Sequence, residues 1–444
     1  MLELLSSWLL SLWVEQPSHA HTLRTTELSK WVDSTSPEAL LQPQFVSDPV
    51  AIAAIQNHLD NLTSAGLGEA QQSVWIQSGR DVLGAHEGTT PLPAASLTKI
   101  ATTLVALSTW GANHEFETQV EITGSIENGV LSGDLVIRGG GDPFLVWEEA
   151  IALGNALNQA GINVVNGDLV ITGNFAMNFE SDPWTAGRLL RQALNSGLWS
   201  SDALTQYKTM PAETPRPTVV INGAVRAIAP EDSNVLDTIP QTTPLIRHRS
   251  LPLAQILKRM NVYSNNAMAE MLADAVGGAD ELSRHAAELS GVPAAEIQLI
   301  NGSGLGEDNQ LSARAVCAML MTIQGYLQPS DLDVADLFPV VGRDIGTLKG
   351  RNLPAHSAVK TGTLAVVSSL AGVIPTGDRD LVWFAVLNRG PNLDELRREQ
   401  DTLLKALSAG WNIPTALPEA ITPKTFPDEQ TQLGNPTRNH VLTP

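Results

Sequence analysis

The hydrophobic positions of the chain follow two periods, one typical of helices and one typical of strands. Apolar residues recur every three or four positions in several segments, and each of these segments is predicted to be helical: Asp48–Gly66, Ser96–Trp110, Pro252–Val276, Asp280–Leu289, Ala313–Leu327 and Leu393–Leu407. Short apolar runs between turn residues predict a hairpin over 73–87, strands over 116–143 and 162–174, and final strands over 357–365 and 380–390. The stretch 182–237 is polar, contains prolines and has only a weak pattern.

The order of these elements predicts one α/β domain that is interrupted by a β-rich insertion. The hairpin before Ser96 and the strands around Lys360 would share one sheet, with helices covering its faces. The main domain would then comprise 23–110 and 241–412, and the inserted domain 111–240. The last 32 residues hold six prolines, so an irregular tail is predicted for 413–444. The segments NGVLSGDLVIRG and NVVNGDLVITG are alike and predict two similar hairpin strands.

The first residues have the length, but not the charge, of an export signal. Leu4–Val14 is long enough for the core of a signal peptide and too short to span a bilayer, and Ser18-His19-Ala20 fits a cleavage site. No lysine or arginine precedes Arg24, so an amphipathic helix packed on the domain is equally compatible with the pattern. A possible signal segment is therefore assigned to 1–22.

Composition excludes several kinds of partner. The net charge of −20 makes nucleic acid and anionic lipid unfavourable partners. The single cysteine, Cys317, excludes an intrachain disulfide framework and a thiolate metal cluster. The nine histidines form no His-Glu-x-x-His pattern. Neither a metal nor a cofactor is predicted.

Three short motifs occur in order along the chain: Ser96-Leu97-Thr98-Lys99, Ser264-Asn265-Asn266 and Lys360-Thr361-Gly362. Residues i and i+3 share one face of a helix, so Ser96 and Lys99 can form a hydrogen bond. The same spacing at Ser357 and Lys360 falls on a predicted strand, where the two side chains point to opposite faces. A serine needs a base to become a nucleophile, and a lysine is a base only when burial and a nearby like charge lower its pKa. Lys360 would be the source of that charge.

Each motif alone also has an ordinary structural explanation. Ser96 could be a helix N-cap, Lys99 a solvated helix residue, the Ser264 motif a polar turn and the Lys360 motif a strand that runs into a bulge. Together, each on a suitable element, the motifs favour catalysis. Ser264 would then relay a proton and Asn266 would hold a substrate amide, while N–H groups at the start of the Ser96 helix would stabilise an oxyanion.

The motifs resemble those of the penicillin-binding serine acyltransferases. The closer resemblance is to the D-alanyl-D-alanine carboxypeptidase/endopeptidase family of class C low-molecular-mass penicillin-binding proteins, the S13 peptidases. That family carries a large insertion between the first two motifs, and 168 residues separate Ser96 from Ser264 here. Further segments match, within a similarity that covers about 49–411: GGGDP (139–143), NGSGLGEDN (301–309), GRDIGTLKGR (342–351) and the run up to KTGT (360–363).

The resemblance implies a fold, an activity and a set of site residues. The fold would be the serine β-lactamase/DD-peptidase-like antiparallel sheet flanked by helices, and the activity that of a serine-type D-Ala-D-Ala carboxypeptidase, with DD-endopeptidase activity on cross-links. The implied catalytic residues are the acylated nucleophile Ser96, its base Lys99, and Ser264 with Asn266. The implied substrate-binding residues are Lys360 for the terminal carboxylate, Thr361 and Gly362 beside it, Thr363 with Ser96 for the oxyanion hole, and Asp142 for the substrate's diamino acid. Asp142 could equally be a turn residue after three glycines.

The same resemblance implies peptidoglycan stem peptides ending in D-Ala-D-Ala as partners, β-lactams as inhibitors, and a location in the periplasm or cell envelope. A β-lactamase is disfavoured by the large insertion and by the lack of a deacylating glutamate motif. A wall-binding protein without turnover is disfavoured by the intact motifs. The family's Gly-Ser-Gly-Leu segment is usually followed by Ser-Arg, whereas Gly306 and Glu307 stand here. Side-chain recognition therefore stays open, with Arg314 or Arg343 as compensating candidates.

Overall fold

The computed structural model of the chain describes residues 43–442 except 229–240, 378, 380, 413–420, 425 and 428–430. The possible signal segment 1–22 lies outside these residues. The helices are α1 Pro49–Ser64, α2 Thr98–Trp110, α3 Trp147–Gln159, α4 Pro183–Ala193, α5 Ser201–Tyr207, α6 Leu253–Tyr263, α7 Asn266–Ala275, α8 Ala279–Ser290, α9 Ala313–Leu327, α10 Val334–Leu337 and α11 Leu393–Gly410. The strands are β1 Gln44–Phe45, β2 Gln72–Ser78, β3 Asp81–His86, β4 Leu92–Pro93, β5 Glu117–Ile122, β6 Ile126–Glu127, β7 Val130–Leu131, β8 Leu135–Gly140, β9 Val164–Val165, β10 Leu169–Asn174, β11 Val220–Ile221, β12 Val225–Ala227, β13 Thr243–Arg249, β14 Ile297–Gln298, β15 Gln310–Leu311, β16 Ala358–Leu364, β17 Val367–Pro375, β18 Leu381–Arg389 and β19 Asn439–Val441.

Strands from both ends of the chain form the main sheet, as the sequence predicts. Its order is β1-β3-β2-β18-β17-β16, so the early hairpin β2–β3 lies beside the strands that follow the Lys360 motif. The sequence predicts two strands in the last part of the sheet, whereas the structure has three. β17 escapes sequence prediction because all nine of its residues are buried, so that it has no alternation of polar and apolar positions.

Helices cover both faces of this sheet and create two apolar layers. On one face, α1 and α11 pack in a cluster with the inner residues of β2, β17 and β18. On the other face, α2, α6, α7, α8 and α9 form a larger cluster. The helix α1 begins where predicted: Asp48 accepts a hydrogen bond from the Ala51 N–H at 2.8 Å, and Pro49 occupies the first turn.

Two predicted helices differ from the structure, and both differences occur at the motifs. The predicted helix Pro252–Val276 is interrupted at Ser264, whose backbone is left-handed with φ 53° and ψ 42°. Asn265 then caps a new helix by accepting a hydrogen bond from the Met268 N–H at 3.0 Å. Similarly, α2 begins at Thr98, after a 3₁₀ turn over Ala95–Leu97. Each interruption leaves a motif serine in a turn beside a helix start.

The insertion contains two sheets, as expected of a β-rich unit, together with helices that the sequence does not predict. A six-stranded sheet of order β12-β10-β8-β5-β13-β19 and a four-stranded sheet of order β11-β9-β7-β6 pack with α3 and α4 around a separate apolar core. The weakly patterned stretch 182–237 contains the helices α4 and α5. Asp182 and Pro183 start α4 with the same cap and first-turn pair that starts α1.

The two similar segments of the insertion pair in parallel and do not form the predicted hairpin strands. Leu135 of β8 lies opposite Leu169 of β10, and β12 extends the same parallel arrangement. The turns before these strands stack so tightly that they require glycine. A Cβ on Gly167 would lie 2.5 Å from the carbonyl oxygen of Gly133, and a Cβ on Gly223 would lie 2.3 Å from the carbonyl oxygen of Gly167. The insertion therefore contains short stacked repeats.

The inserted sheet extends beyond the predicted segment 111–240. It takes in β13 at Thr243–Arg249 and, from the proline-rich tail, β19, which pairs antiparallel with β13. Arg438 forms a buried ion pair with Glu149 next to this strand. The domain boundaries stay a prediction, but the tail contributes a strand to the insertion. Within the described part of the chain, no helix has the length and apolar character needed to cross a membrane.

Candidate active site

The three motifs meet beside β16, the strand at one edge of the main sheet. Lys99 Nζ lies 3.1 Å from Ser96 Oγ and 2.8 Å from Asn266 Oδ1, while Lys360 Nζ lies 3.0 Å from Ser264 Oγ. The structure thus brings together residues that are up to 264 positions apart. Ser96 and Ser264 open into a polar cleft of about 770 Å³, which is also lined by Thr361 and Thr363.

Ser96 is presented by a strained turn. The preceding residue, Ala95, has a φ of 49°, a left-handed conformation that costs a non-glycine residue on the order of 1–3 kcal/mol. The hydroxyl of Ser96 caps neither the 3₁₀ turn nor α2, so the N-cap explanation fails. Its polar contact is with Lys99 Nζ, and the half-buried side chain faces the cleft.

Lys99 is fully buried, so it is not a solvated helix residue. Burial lowers its pKa from the usual 10.5 to about 7, against the opposing effect of the Glu270 carboxylate. Asn266 Oδ1 and the Ser303 carbonyl, 2.7 Å away, both accept hydrogen bonds from Nζ. A neutral amine keeps two N–H donors for these acceptors and directs its lone pair to Ser96 Oγ. This geometry is compatible with the predicted role of Lys99 as a base, which stays a prediction.

Lys360 forms the second serine–lysine pair. It is buried in β16 and donates to Ser264 Oγ and, at 2.7 Å, to the Thr361 carbonyl. Burial, and secondarily the charge of Lys99, lower the pKa of Lys360 well below its usual value. The sequence predicts burial and a nearby like charge as causes of the Lys99 shift, and in the structure burial is the largest cause for both lysines. Two ammonium groups are disfavoured together in this site.

Close packing of the motif strand against Ser96 depends on Gly362. A Cβ at this position would lie 2.9 Å from the Ser96 backbone nitrogen and 2.8 Å from the Ala94 carbonyl oxygen. Ser369 Oγ donates to that same carbonyl at 2.7 Å and fixes the turn to the sheet. Thr361 Oγ1 in turn donates to Thr347 Oγ1 at 2.9 Å. The backbone N–H of Ser96 is thus held beside the strand that carries Thr363, as an oxyanion hole requires.

Two residues without a predicted role, Glu270 and Ser303, support Lys99. The Ser303 carbonyl accepts from Lys99, and the Glu270 carboxylate on α7 accepts from the Gly302 and Ser303 N–H groups at 2.9 and 3.1 Å. A Cβ on Gly304 would lie 1.8 Å from the Ala95 carbonyl oxygen, so this loop packs directly against the turn that carries Ser96. The segment 301–309 is one of those that match the family, but the sequence does not predict its hydrogen bonds.

We expect Glu270→Gln to slow acylation by about 10-fold at the pH optimum, because the Gly302 and Ser303 N–H groups lose the charged acceptor that fixes the loop carrying the Ser303 carbonyl. The Glu270 charge raises the pKa of Lys99. Its removal should therefore also shift the acidic limb of the acylation pH profile to lower pH. Asp274→Asn, an exposed change on the same helix, is the matched control. A pH profile identical to that of the wild type would show that Glu270 does not act on Lys99.

Asp142 and Glu307 both have partners within the protein. Asp142 is buried and accepts from the Phe144 N–H at 2.8 Å, the hydrogen bond expected of a turn residue, and burial raises its pKa to about 7. That Asp142 binds the diamino acid of the substrate stays a prediction. Glu307 Oε2 accepts from Arg389 Nε at 3.0 Å, with both side chains partly exposed. Arg314, a proposed compensating residue, is itself paired with Glu296.

The fold and the two serine–lysine pairs define a serine acyltransferase of the penicillin-binding class. The chain belongs to the D-Ala-D-Ala carboxypeptidase 3 (S13) family, whose model matches residues 53–186 and 231–409. The predicted family and fold class are thereby confirmed, and with them the enzyme class, a serine-type D-Ala-D-Ala carboxypeptidase.

Individual relatives agree with this assignment. The carboxypeptidase DacB of Mycolicibacterium smegmatis is 26% identical over 353 residues, covering 68% of this chain and 72% of the relative. The D-alanyl-D-alanine carboxypeptidase DacB of Haemophilus influenzae is 24% identical over 413 residues, covering 71% and 84%. The penicillin G-acylated predatory endopeptidase Bd3459 of Bdellovibrio bacteriovorus, in complex with immunity protein Bd3460, superposes with a TM-score of 0.67 at 21% identity, covering 80% of this chain and 96% of that one. The last comparison concerns the fold alone.

Proposed function

We propose that the protein removes the terminal D-Ala from peptidoglycan stem peptides through an acyl-enzyme on Ser96. The observation that carries this proposal is the 3.1 Å contact between Ser96 Oγ and the buried Lys99 Nζ. Lys99 takes the hydroxyl proton, and Ser96 Oγ attacks the carbonyl of the D-Ala-D-Ala bond. The N–H groups of Ser96 and Thr363 bind the oxyanion.

The second serine–lysine pair binds the substrate and completes the proton path. The terminal carboxylate lies against Lys360 and Thr361, and its negative charge favours the ammonium form of Lys360. A charged Lys360 in turn favours the neutral form of Lys99, so substrate binding strengthens the base. Ser264 passes the proton to the leaving amine, and Asn266 holds the substrate amide. Water then hydrolyses the ester.

The substrate also defines where the protein acts. Peptidoglycan lies outside the cytoplasmic membrane, so we propose an extracytoplasmic location reached through the segment 1–22. A reporter fused to this segment tests the proposal, and retention of the reporter in the cytoplasm would contradict it.

The direct test is incubation with a D-Ala-D-Ala-ended muropeptide, followed by mass spectrometry of the products. Loss of one alanine is expected from the wild type, and none from Ser96→Ala. The matched control is Ser357→Ala, which alters the serine of the other Ser-x-x-Lys pattern. A muropeptide that stays intact with the folded wild-type protein would contradict the proposed function.

A further inference from the structure

The cleft extends beyond the catalytic serine and becomes positively charged. Besides the motif residues, its lining includes five cations and two carboxylates, Asp394 and Asp401. The chain as a whole carries a net charge of −20, so this concentration of positive charge opposes the general trend. We call the five cations the cationic arm: Lys349, Arg351, Arg397, Arg398 and Lys405.

Part of this charge is not neutralised within the described part of the protein, although Arg398 pairs with Glu395 and Glu399. Asp401 is committed to Arg351, which donates to it through Nη2 at 2.6 Å and Nε at 2.9 Å. Asp394 is almost fully exposed and lies 3.8 Å from Arg397, so solvent screens the pair. Lys349 and Lys405 are exposed and have no side-chain hydrogen bond or ion pair with any described residue. The arm therefore presents at least two free cations to the cleft.

The cationic arm begins close to the point where the proposed function places the carboxylate of the leaving D-Ala. Arg397 Nη2 donates to Thr363 Oγ1 at 3.1 Å, which joins the arm to the strand that carries Lys360. Lys405 lies eight residues further along α11, about 12 Å away along the helix axis. A single D-Ala extends at most about 3.5 Å beyond the scissile bond, so it is too short to reach that far. A longer leaving group could reach it.

Building on the proposed function, we propose that the cationic arm binds an acidic leaving peptide, namely the second stem peptide of a cross-link. Such a peptide carries carboxylates beyond the one beside the scissile amide. The Ser96 Oγ–carbonyl bond forms and the carbonyl–nitrogen bond breaks. The serine proton passes to the leaving amine, and the acidic peptide departs from the arm. Electrostatic complementarity of this kind would favour cross-link cleavage over the release of a single D-Ala.

The test compares two substrates in one protein background. The double variant Lys349→Gln/Lys405→Gln should lower the ratio of kcat/KM for a cross-linked muropeptide dimer to kcat/KM for a monomeric pentapeptide by about 2- to 30-fold, as expected for two partly screened contacts. The loss should shrink as salt rises. In the wild type, amidation of the leaving peptide's carboxylates should lower the same ratio. Lys208→Gln, an exposed lysine of the insertion, is the matched control and should leave the ratio unchanged.

Each outcome separates this inference from the proposed function. If the wild type releases D-Ala from the pentapeptide but the double variant has an unchanged ratio, the arm is not a leaving-peptide subsite and the proposed function stands. Equal losses on both substrates would also overturn the inference, because they would indicate a general effect on the cleft. Absence of D-Ala release by the folded wild type would contradict the proposed function itself.

Discussion

A β-lactam is expected to add one adduct per chain to the wild-type protein and none to Ser96→Ala. The drug mimics the D-Ala-D-Ala end, and Ser96 is the hydroxyl in contact with the buried Lys99 at 3.1 Å. Deacylation should be slow, because the family is that of a peptidase and not a β-lactamase. Intact-mass analysis over time measures both the mass and the persistence of the adduct.

The chain provides a matched control for this prediction. Ser357 also stands three residues before a lysine, but it is fully buried, and its hydroxyl has no hydrogen-bond partner among the described residues. Ser357→Ala should therefore retain the adduct, with little change in stability, because no hydrogen bond is lost. An adduct on Ser96→Ala, or rapid turnover of the drug by the wild type, would overturn the assignment of Ser96 in a peptidase.

Local geometry made part of the site predictable. Ser96 and Lys99 are three residues apart in one helical segment, so the sequence alone places the two side chains together. The Asp48–Pro49 start of α1 is equally local. The same pair recurs at Asp182–Pro183, yet α4 was not predicted, because its polar exposed face masks the short apolar stripe.

Contacts that depend on the packing of distant segments could not be predicted. The position of Ser264 beside Lys360 requires both the interruption of a helix and the docking of β16 at the sheet edge. The hydrogen bonds by which Glu270 and Ser303 position Lys99 depend on a loop that packs against the turn carrying Ser96. The parallel pairing of β8 and β10 was missed because similar segments suggest hairpins and stacked repeats equally well.

Strain and burial occur together at this site. Ala95 and Ser264 both have left-handed backbones without being glycine, and each adjoins or belongs to a motif. Two lysines are buried within the same network, where desolvation disfavours their charge. Such features cost stability, and they persist because the surrounding sheet and helices fix them in place. Their coincidence with the motifs supports a catalytic role for the network.

Lys99→Arg should lower the acylation rate by at least about 10²-fold, which corresponds to about 2.7 kcal/mol in the barrier. Arginine stays protonated at any working pH, so it cannot accept the Ser96 proton. In the wild type, the neutral fraction of Lys99 rises with pH through about 7. Acylation by a β-lactam should therefore accelerate between pH 6 and 8, as measured by stopped-flow or quenched mass analysis.

The variant and the pH profile test the same group in independent ways. Lys208→Arg, an exposed change, should leave the rate and its pH dependence unaltered, and circular dichroism checks that Lys99→Arg still folds. If the variant folds and acylates at a near-normal rate, another group activates Ser96. If the wild-type rate is flat from pH 6 to 8, Lys99 does not titrate in this range. A rate that instead climbs about tenfold per pH unit, without levelling off by pH 8, would show that burial has not lowered the pKa of Lys99 to about 7.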